Sequence, residues 1–143
     1  MKKFLLALML LTAVSAVAAK KAPATKAQYP DGTYRGVYIS NQETQVEVQF
    51  DLKNDVITSA KYRALSYKGH DWLKEEEYVA KNGGYMKLLE RITNQKIQDV
   101  MPTMYNSEEI EAGGATVREM KVRSALQYGL NLGPFRLPKK EAK

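Results

Sequence analysis

The stretch "QVEVQFDL", Gln45 to Leu52, constrains this chain more than any other. Val46, Val48, Phe50 and Leu52 alternate with Glu47, Gln49 and Asp51, the two-residue period of a strand with one dry and one wet face. Such a strand must bury its apolar face, so it needs neighbours beside it and a covering layer. The neighbours are adjacent in sequence. "DGTYRGVYI" reads as a turn and then a strand from Thr33 to Ile39, and "SNQET" as the turn after it. After the short "KND" connection, "VITSAKYRAL" reads as a third strand, with Lys61 and Arg63 facing out and Ala60, Tyr62 and Ala64 facing in. Strands joined by turns this short form an antiparallel meander.

The covering layer comes later in the chain. "YMKLLERI" places Leu88, Leu89 and Ile92 at helical spacing with Tyr85 one turn earlier, and "NQKIQDVM" continues with Ile97, Val100 and Met101. Asn94 divides these into two short helices, and Pro102 is expected to end the second. A last helix is expected from Val117 to about Tyr128, stopping at Gly129. Between them, "PTMYNSEEIEAGGA" is a loop of a length that in a small domain is usually functional or disordered. The resulting fold class is α+β: an antiparallel sheet of three to four strands with helices packed on one face. Val46, Val48, Phe50 and Leu52 should meet Leu88, Leu89, Ile92, Val122 and Leu126 in one core.

The first residues, "MKKFLLALMLLTAVSAVAAKK", read as an export signal. Lys2 and Lys3 form the positive start, Phe4 to Val14 the apolar run, and Ala16-Val17-Ala18 the small residues of a cleavage site. The run is short for a membrane span. The expected organisation is a signal peptide over 1–19, a linker over 20–30, a domain over 31–137 and a basic tail over 138–143. The product is then periplasmic or outside the cell. Cysteine is absent, so the core must hold without disulfides. The formal charge of +6 falls when Lys2 and Lys3 leave, and much of the rest sits in Lys20, Lys21, Lys26, Lys139, Lys140 and Lys143. Basic ends around a domain are not a nucleic-acid-reading face, and export argues against a nucleic-acid partner as well.

"EAGGATVREMK", Glu111 to Lys121, asks the functional question. Thr116-Val117-Arg118-Glu119 has the form of a capping box, with Thr116 as N-cap and Glu119 reaching back. On that reading the threonine needs no other purpose. However, Gly113, Gly114 and Ala115 strip side-chain bulk from the approach to a helix N-terminus, where free N–H groups and the dipole favour a phosphate.

The segment "GGATVREMKVRSAL" resembles the S/T-G-A-T segment of the FMN-binding domain family, which includes the flavin-bearing C subunit of the sodium-pumping NADH:quinone reductase. "YPDGTYRGVY" and "VEVQFDLKNDVITSAKY" resemble that family's opening, alternating strand and hairpin, so the likeness covers about Tyr29 to Leu130. The resemblance implies FMN as cofactor, electron transfer as function, and Gly113, Gly114, Ala115, Thr116, Val117 and Arg118 as the flavin-binding residues. It also implies a redox partner protein or a membrane electron-transfer complex. In many members the matching threonine carries FMN through a phosphoester installed by a flavin transferase from FAD; others bind FMN without that bond. Thr116 is the only Ser or Thr between Glu108 and Arg123. Aligned without gaps, the chain departs from the pattern at Ile110, where the family has Asp, and at Gly113, where it has Ser or Thr; with one residue deleted, Glu111 takes the Asp position. Those departures favour a second reading, a flavin-free extracellular binding module on the same fold.

No other motif competes. His70, the single histidine, reads as a surface loop residue and offers poor metal spacing. Trp72 either anchors its loop on the sheet or covers a ring system. Arg118 and Lys121 can pair with an FMN phosphate, with solvent-facing charge as the default, and Glu75-Glu76-Glu77 suits a helix start. No nucleophile-and-base set is present, so any chemistry belongs to a cofactor and the protein itself supplies no catalytic residue. The exported chain is expected to begin at Ala19 or Lys20. N-terminal sequencing of secreted protein checks this, and Met1 at the N-terminus refutes it.

Overall fold

The computed structural model describes residues 25–104 and 115–138. Four strands form one antiparallel sheet in the order β1-β2-β3-β4: β1 (Gly32–Ser40), β2 (Glu43–Lys53), β3 (Val56–Tyr67) and the short β4 (His70–Asp71). The helices are α1 (Glu76–Val79), α2 (Gly83–Ile92), α3 (Ile97–Thr103) and α4 (Ala115–Leu132). The fold is α+β, an antiparallel sheet with helices over one face, as the strand and helix periods require.

The dry face of β2 organises the rest. Val46, Val48, Phe50 and Leu52 are buried, and so are Leu88, Leu89 and Ile92 from α2 and Val122 and Leu126 from α4. All belong to one cluster. Tyr34 of β1 stacks on Phe50 at 5.2 Å and donates its hydroxyl to the Pro30 carbonyl.

β3 departs from simple alternation. It pairs Ile57 with Leu52, Ala60 with Phe50, Tyr62 with Val48 and Leu65 with Val46, with register shifts between Asp51 and Leu52 and between Glu47 and Val48. Each shift adds a residue on the β3 side, which reverses the facing of the residues beyond it. Ile57 and Leu65 therefore reach the core along with Ala60 and Tyr62, while Ala64 pairs with Glu47 and belongs to the outer face. The inward placement expected for Ala64 is corrected by that second bulge.

The last helix also differs from expectation. It does not stop at Gly129 but continues to Leu132, and Gly133, at φ +82°, ends it with its N–H on the carbonyls of Gly129 and Leu130. Gly129 serves another purpose. A Cβ there would sit 3.1 Å from the Arg35 backbone and the Phe50 ring. On the facing strand, a Cβ at Gly36 would overlap the Ala125 carbonyl oxygen. Gly36, Ala125 and Gly129 together let α4 lie directly on β1. The helix start differs too. The helix spans Ala115–Leu132, so it begins before Val117, and the Glu119 carboxylate accepts from Arg91 at 2.7 Å. Asn94, at φ +64°, separates α2 from α3, and Pro102 stands in the last turn of α3, one residue before its end.

The folded part reaches back into the linker segment. The N–H groups of Gln28 and Tyr29 donate to the Asp55 carboxylate at 2.7 and 2.8 Å, and Gln98 adds its amide at 2.6 Å. Burial works to raise the Asp55 pKa, but these donors outweigh it and hold the group below the ordinary aspartate value. At the other terminus, Thr33 exchanges backbone hydrogen bonds with Phe135 and Arg136.

Two substitutions test this packing. Phe50→Ala should cost about 3–5 kcal/mol through lost burial and a residual cavity. Gly36→Ala should cost about 3 kcal/mol or more, because its methyl meets backbone that no rotamer change can move. Gly83→Ala, with open space around it, is the control and should be neutral or slightly stabilising. Denaturant midpoints check all three, and a Gly36→Ala midpoint equal to wild type would place α4 wrongly.

Candidate functional site

The end of the sheet where β3 finishes carries an open cleft of about 300 Å³. Leu65, Ser66 and Tyr67 form one side, Trp72 and Tyr85 another, and Arg118 and Lys121 from α4 a third. Its character comes from how each group is fixed. Arg118 and Lys121 are three residues apart on a helix and so share a face.

Trp72 is held at both ends of its backbone. Its N–H donates to the Leu65 carbonyl at 2.8 Å, and its carbonyl accepts from the buried Asn82 side chain at 2.8 Å. The ring meets Tyr85 edge-on at 6.2 Å and Tyr78 at 5.7 Å. Its indole N–H is buried and has no acceptor among the described residues. A buried donor without a partner is costly, and an acceptor on a bound ligand would relieve it. Tyr85 is steadied by Tyr62, whose hydroxyl donates to the Tyr85 carbonyl at 2.8 Å and whose ring meets it edge-on. Burial raises the pKa of both phenols, so they remain neutral.

The cations are not solvent-facing spares. The Arg118 guanidinium lies 5.6 Å over the Tyr85 ring and against the Gly84 backbone, in space that a Cβ at 84 would fill. Lys121 Nζ lies 4.6 Å over Tyr67 and 6.0 Å from Tyr38. Burial lowers the Lys121 pKa, partly opposed by the Glu43 charge. Among the described residues no carboxylate lines the cleft. Partly desolvated cations on aromatic walls suit an anion that carries a flat ring.

Beside the cleft, Glu43 stitches two turns together. It accepts from the N–H groups of Gly69 at 2.7 Å and Lys68 at 3.1 Å and from Gln45 at 3.2 Å. The Gly69 N–H is the main cause that lowers its pKa below 4.5, with burial opposing and Gln45, Lys68 and Lys121 adding to it. His70 stacks on Tyr78 at 4.3 Å and meets Glu75 at 3.0 Å. Its role is to brace the Trp72 turn, and no metal-holding group of three or more His, Cys, Asp or Glu occurs among the described residues.

Of the site residues expected from sequence, Arg118 lines the cleft. Ala115, Thr116 and Val117 form the first turn of α4, with Ala115 one turn before Arg118. Gly113, Gly114 and Ile110 lie outside the described residues. In the sequence Tyr85 reads as a core residue and Tyr67 carries no signal of its own, because their helical and strand periods say nothing about the space between them. The Arg118–Lys121 spacing was the available signal. No family model matches the chain, and neither does any curated protein or solved structure.

The sign of the Glu43 shift makes a prediction. A carboxylate whose pKa is lower in the folded state contributes stability that is whole above its unfolded value and lost as pH falls through the folded one. Protection of the Lys68 and Gly69 amides, measured against their intrinsic exchange rates at each pH, should therefore fall below about pH 4.5, before that of the β2 amides, and Glu43→Gln should remove that pH dependence. Equal pH responses in wild type and variant would show that Glu43 does not hold the turn.

Proposed function

We propose that this chain is an exported FMN-binding protein that acts in electron transfer, with its flavin held between the first turns of α4 and the aromatic cleft. The observation that supports the reading best is the pairing of two partly desolvated cations, Arg118 and Lys121, with the rings of Tyr67, Trp72 and Tyr85, directly after Gly113-Gly114-Ala115-Thr116 in the chain.

Each part has a distinct task on this reading. Trp72 and Tyr85 offer apolar walls to a ring system and exclude water from one side of it. The indole N–H of Trp72 would donate to an acceptor on the ring. Arg118 gives a planar fork suited to phosphate oxygens, and Lys121 adds a cation whose position on Tyr67 is already fixed. Thr116 supplies the hydroxyl of the resembled motif, with Gly114 and Ala115 as small neighbours in sequence. Bound there, FMN would supply the redox chemistry that none of these side chains can perform. The partners this implies are a redox protein or membrane electron-transfer complex and, if the bond is covalent, a flavin transferase.

The second reading, a flavin-free extracellular binding module, is favoured by Ile110 and Gly113, which replace the acidic and hydroxyl residues of the resembled motif. One experiment separates the two. Protein produced with FMN and a competent flavin transferase should carry flavin by absorbance, and by intact mass if the attachment is covalent. Thr116→Ala should then abolish a covalent adduct, while Trp72→Ala and Arg118→Ala should each weaken non-covalent binding about tenfold or more. Wild-type protein without flavin under those conditions overturns the first reading.

A further inference from the structure

Gly84 has no local reason to be a glycine. It is the second residue of α2, its φ lies outside the left-handed region, and it is exposed. A glycine within a helix costs stability relative to alanine, and neither backbone conformation nor burial requires one here. The requirement comes from a side chain on another helix. A Cβ on Gly84 would overlap Nη1 of Arg118 and stand 3.4 Å from its Cζ and 3.6 Å from its Cδ. The adjacent Gly83 is different, because a Cβ there would meet nothing within 4 Å.

Arg118 is not drawn to this place by a carboxylate. No ion pair holds it among the described residues. Its guanidinium is located by the Tyr85 ring, 5.6 Å from the centroid, and by the gap at Gly84. Tyr85 is fixed in turn by the Tyr62 hydroxyl on its carbonyl and by the Trp72 ring against its own. The contact also differs in kind from the one at Gly36. There an added methyl would meet backbone, whereas at Gly84 it would meet the far end of a flexible side chain. A methyl at position 84 therefore leaves α2 and α4 in place and displaces the guanidinium alone.

We propose that Gly84 is a positioning residue of the cleft: the space left by its missing side chain seats the Arg118 guanidinium on Tyr85 and so sets the point at which the cleft holds the anionic group of its ligand. On the reading proposed above that group is the phosphate of FMN, and the role of Gly84 rests on that reading. A guanidinium gives its two parallel hydrogen bonds only when its plane is aimed at the anion. Freedom that a side chain loses on binding subtracts from affinity. Seating Arg118 before the ligand arrives removes that loss, at the expense of some helix stability in α2.

The test compares wild type with Gly83→Ala, Gly84→Ala, Arg118→Ala and the double variant Gly84→Ala, Arg118→Ala. The first measurement needs no ligand. The Arg118 Nε–H resonance, shifted by the ring current of Tyr85, should move toward the value of a free arginine in Gly84→Ala and stay in place in Gly83→Ala. The second is equilibrium dialysis with FMN and with riboflavin, which has the same ring system and no phosphate. Gly84→Ala should weaken FMN binding about tenfold and leave riboflavin binding unchanged. In the Arg118→Ala background it should cause no further loss, because the group it displaces is gone. Its denaturant midpoint should equal or exceed that of wild type, so the lost affinity is not lost folding. Wild type that binds no FMN overturns the flavin reading, and the role of Gly84 with it. Wild type that binds FMN while Gly84→Ala binds it equally well, loses riboflavin to the same degree, adds to the loss in Arg118→Ala, or leaves the Arg118 resonance unmoved overturns the positioning role alone.

Discussion

The crossing of α4 over β1 sets the geometry of this domain. Gly36 and Gly129 bring helix backbone and strand backbone together without intervening side chains, and Ala125 fills the remaining space. This single approach fixes the height and direction of the eighteen-residue helix. Its consequences appear at both ends. Toward its start, α4 carries Arg118 and Lys121 to the rim of the sheet, beside Tyr85 and Tyr67. Toward its end, the left-handed Gly133 turns the chain so that Arg136 reaches Thr33. A bulkier residue at Gly36 would displace both the cleft and the terminal pairing.

Two carboxylates secure the ends of the sheet by the same physics. Asp55 collects donors from the incoming segment and from α3, and Glu43 collects backbone donors from the neighbouring hairpin turn. In each case N–H groups that would otherwise face water or apolar surroundings are satisfied by a charged acceptor, the stronger class of hydrogen bond. The two carboxylates hold turns, and through those turns they hold the cleft at one end and the chain's entry at the other.

This gives the domain a direction. One end gathers aromatic rings and partly desolvated cations, and the other holds the chain's described ends, fastened at Asp55 and Thr33.

The sheet and its covering layer were legible in the sequence. The alternation of Val46, Val48, Phe50 and Leu52 allows only one dry face, and Leu88, Leu89 and Ile92 supply the helix that covers it. These signals are periodic, so they survive without knowledge of any neighbour. The exceptions arise only in three dimensions. The bulges of β3 reverse the facing of Ala64 and admit Leu65 to the core, because pairing with β2, rather than local alternation, sets the register. Gly129, which reads as a stop signal, is a packing residue, because a helix pressed against a strand needs a missing side chain where the backbones meet. Lys121 reads as a solvent-facing charge, yet it is drawn onto Tyr67 and Tyr38, residues more than fifty positions earlier. Arg118 was legible as a site candidate through a motif, but the cleft that it lines was not. Its walls come from three separate stretches of chain, and only the fold brings those stretches to one place.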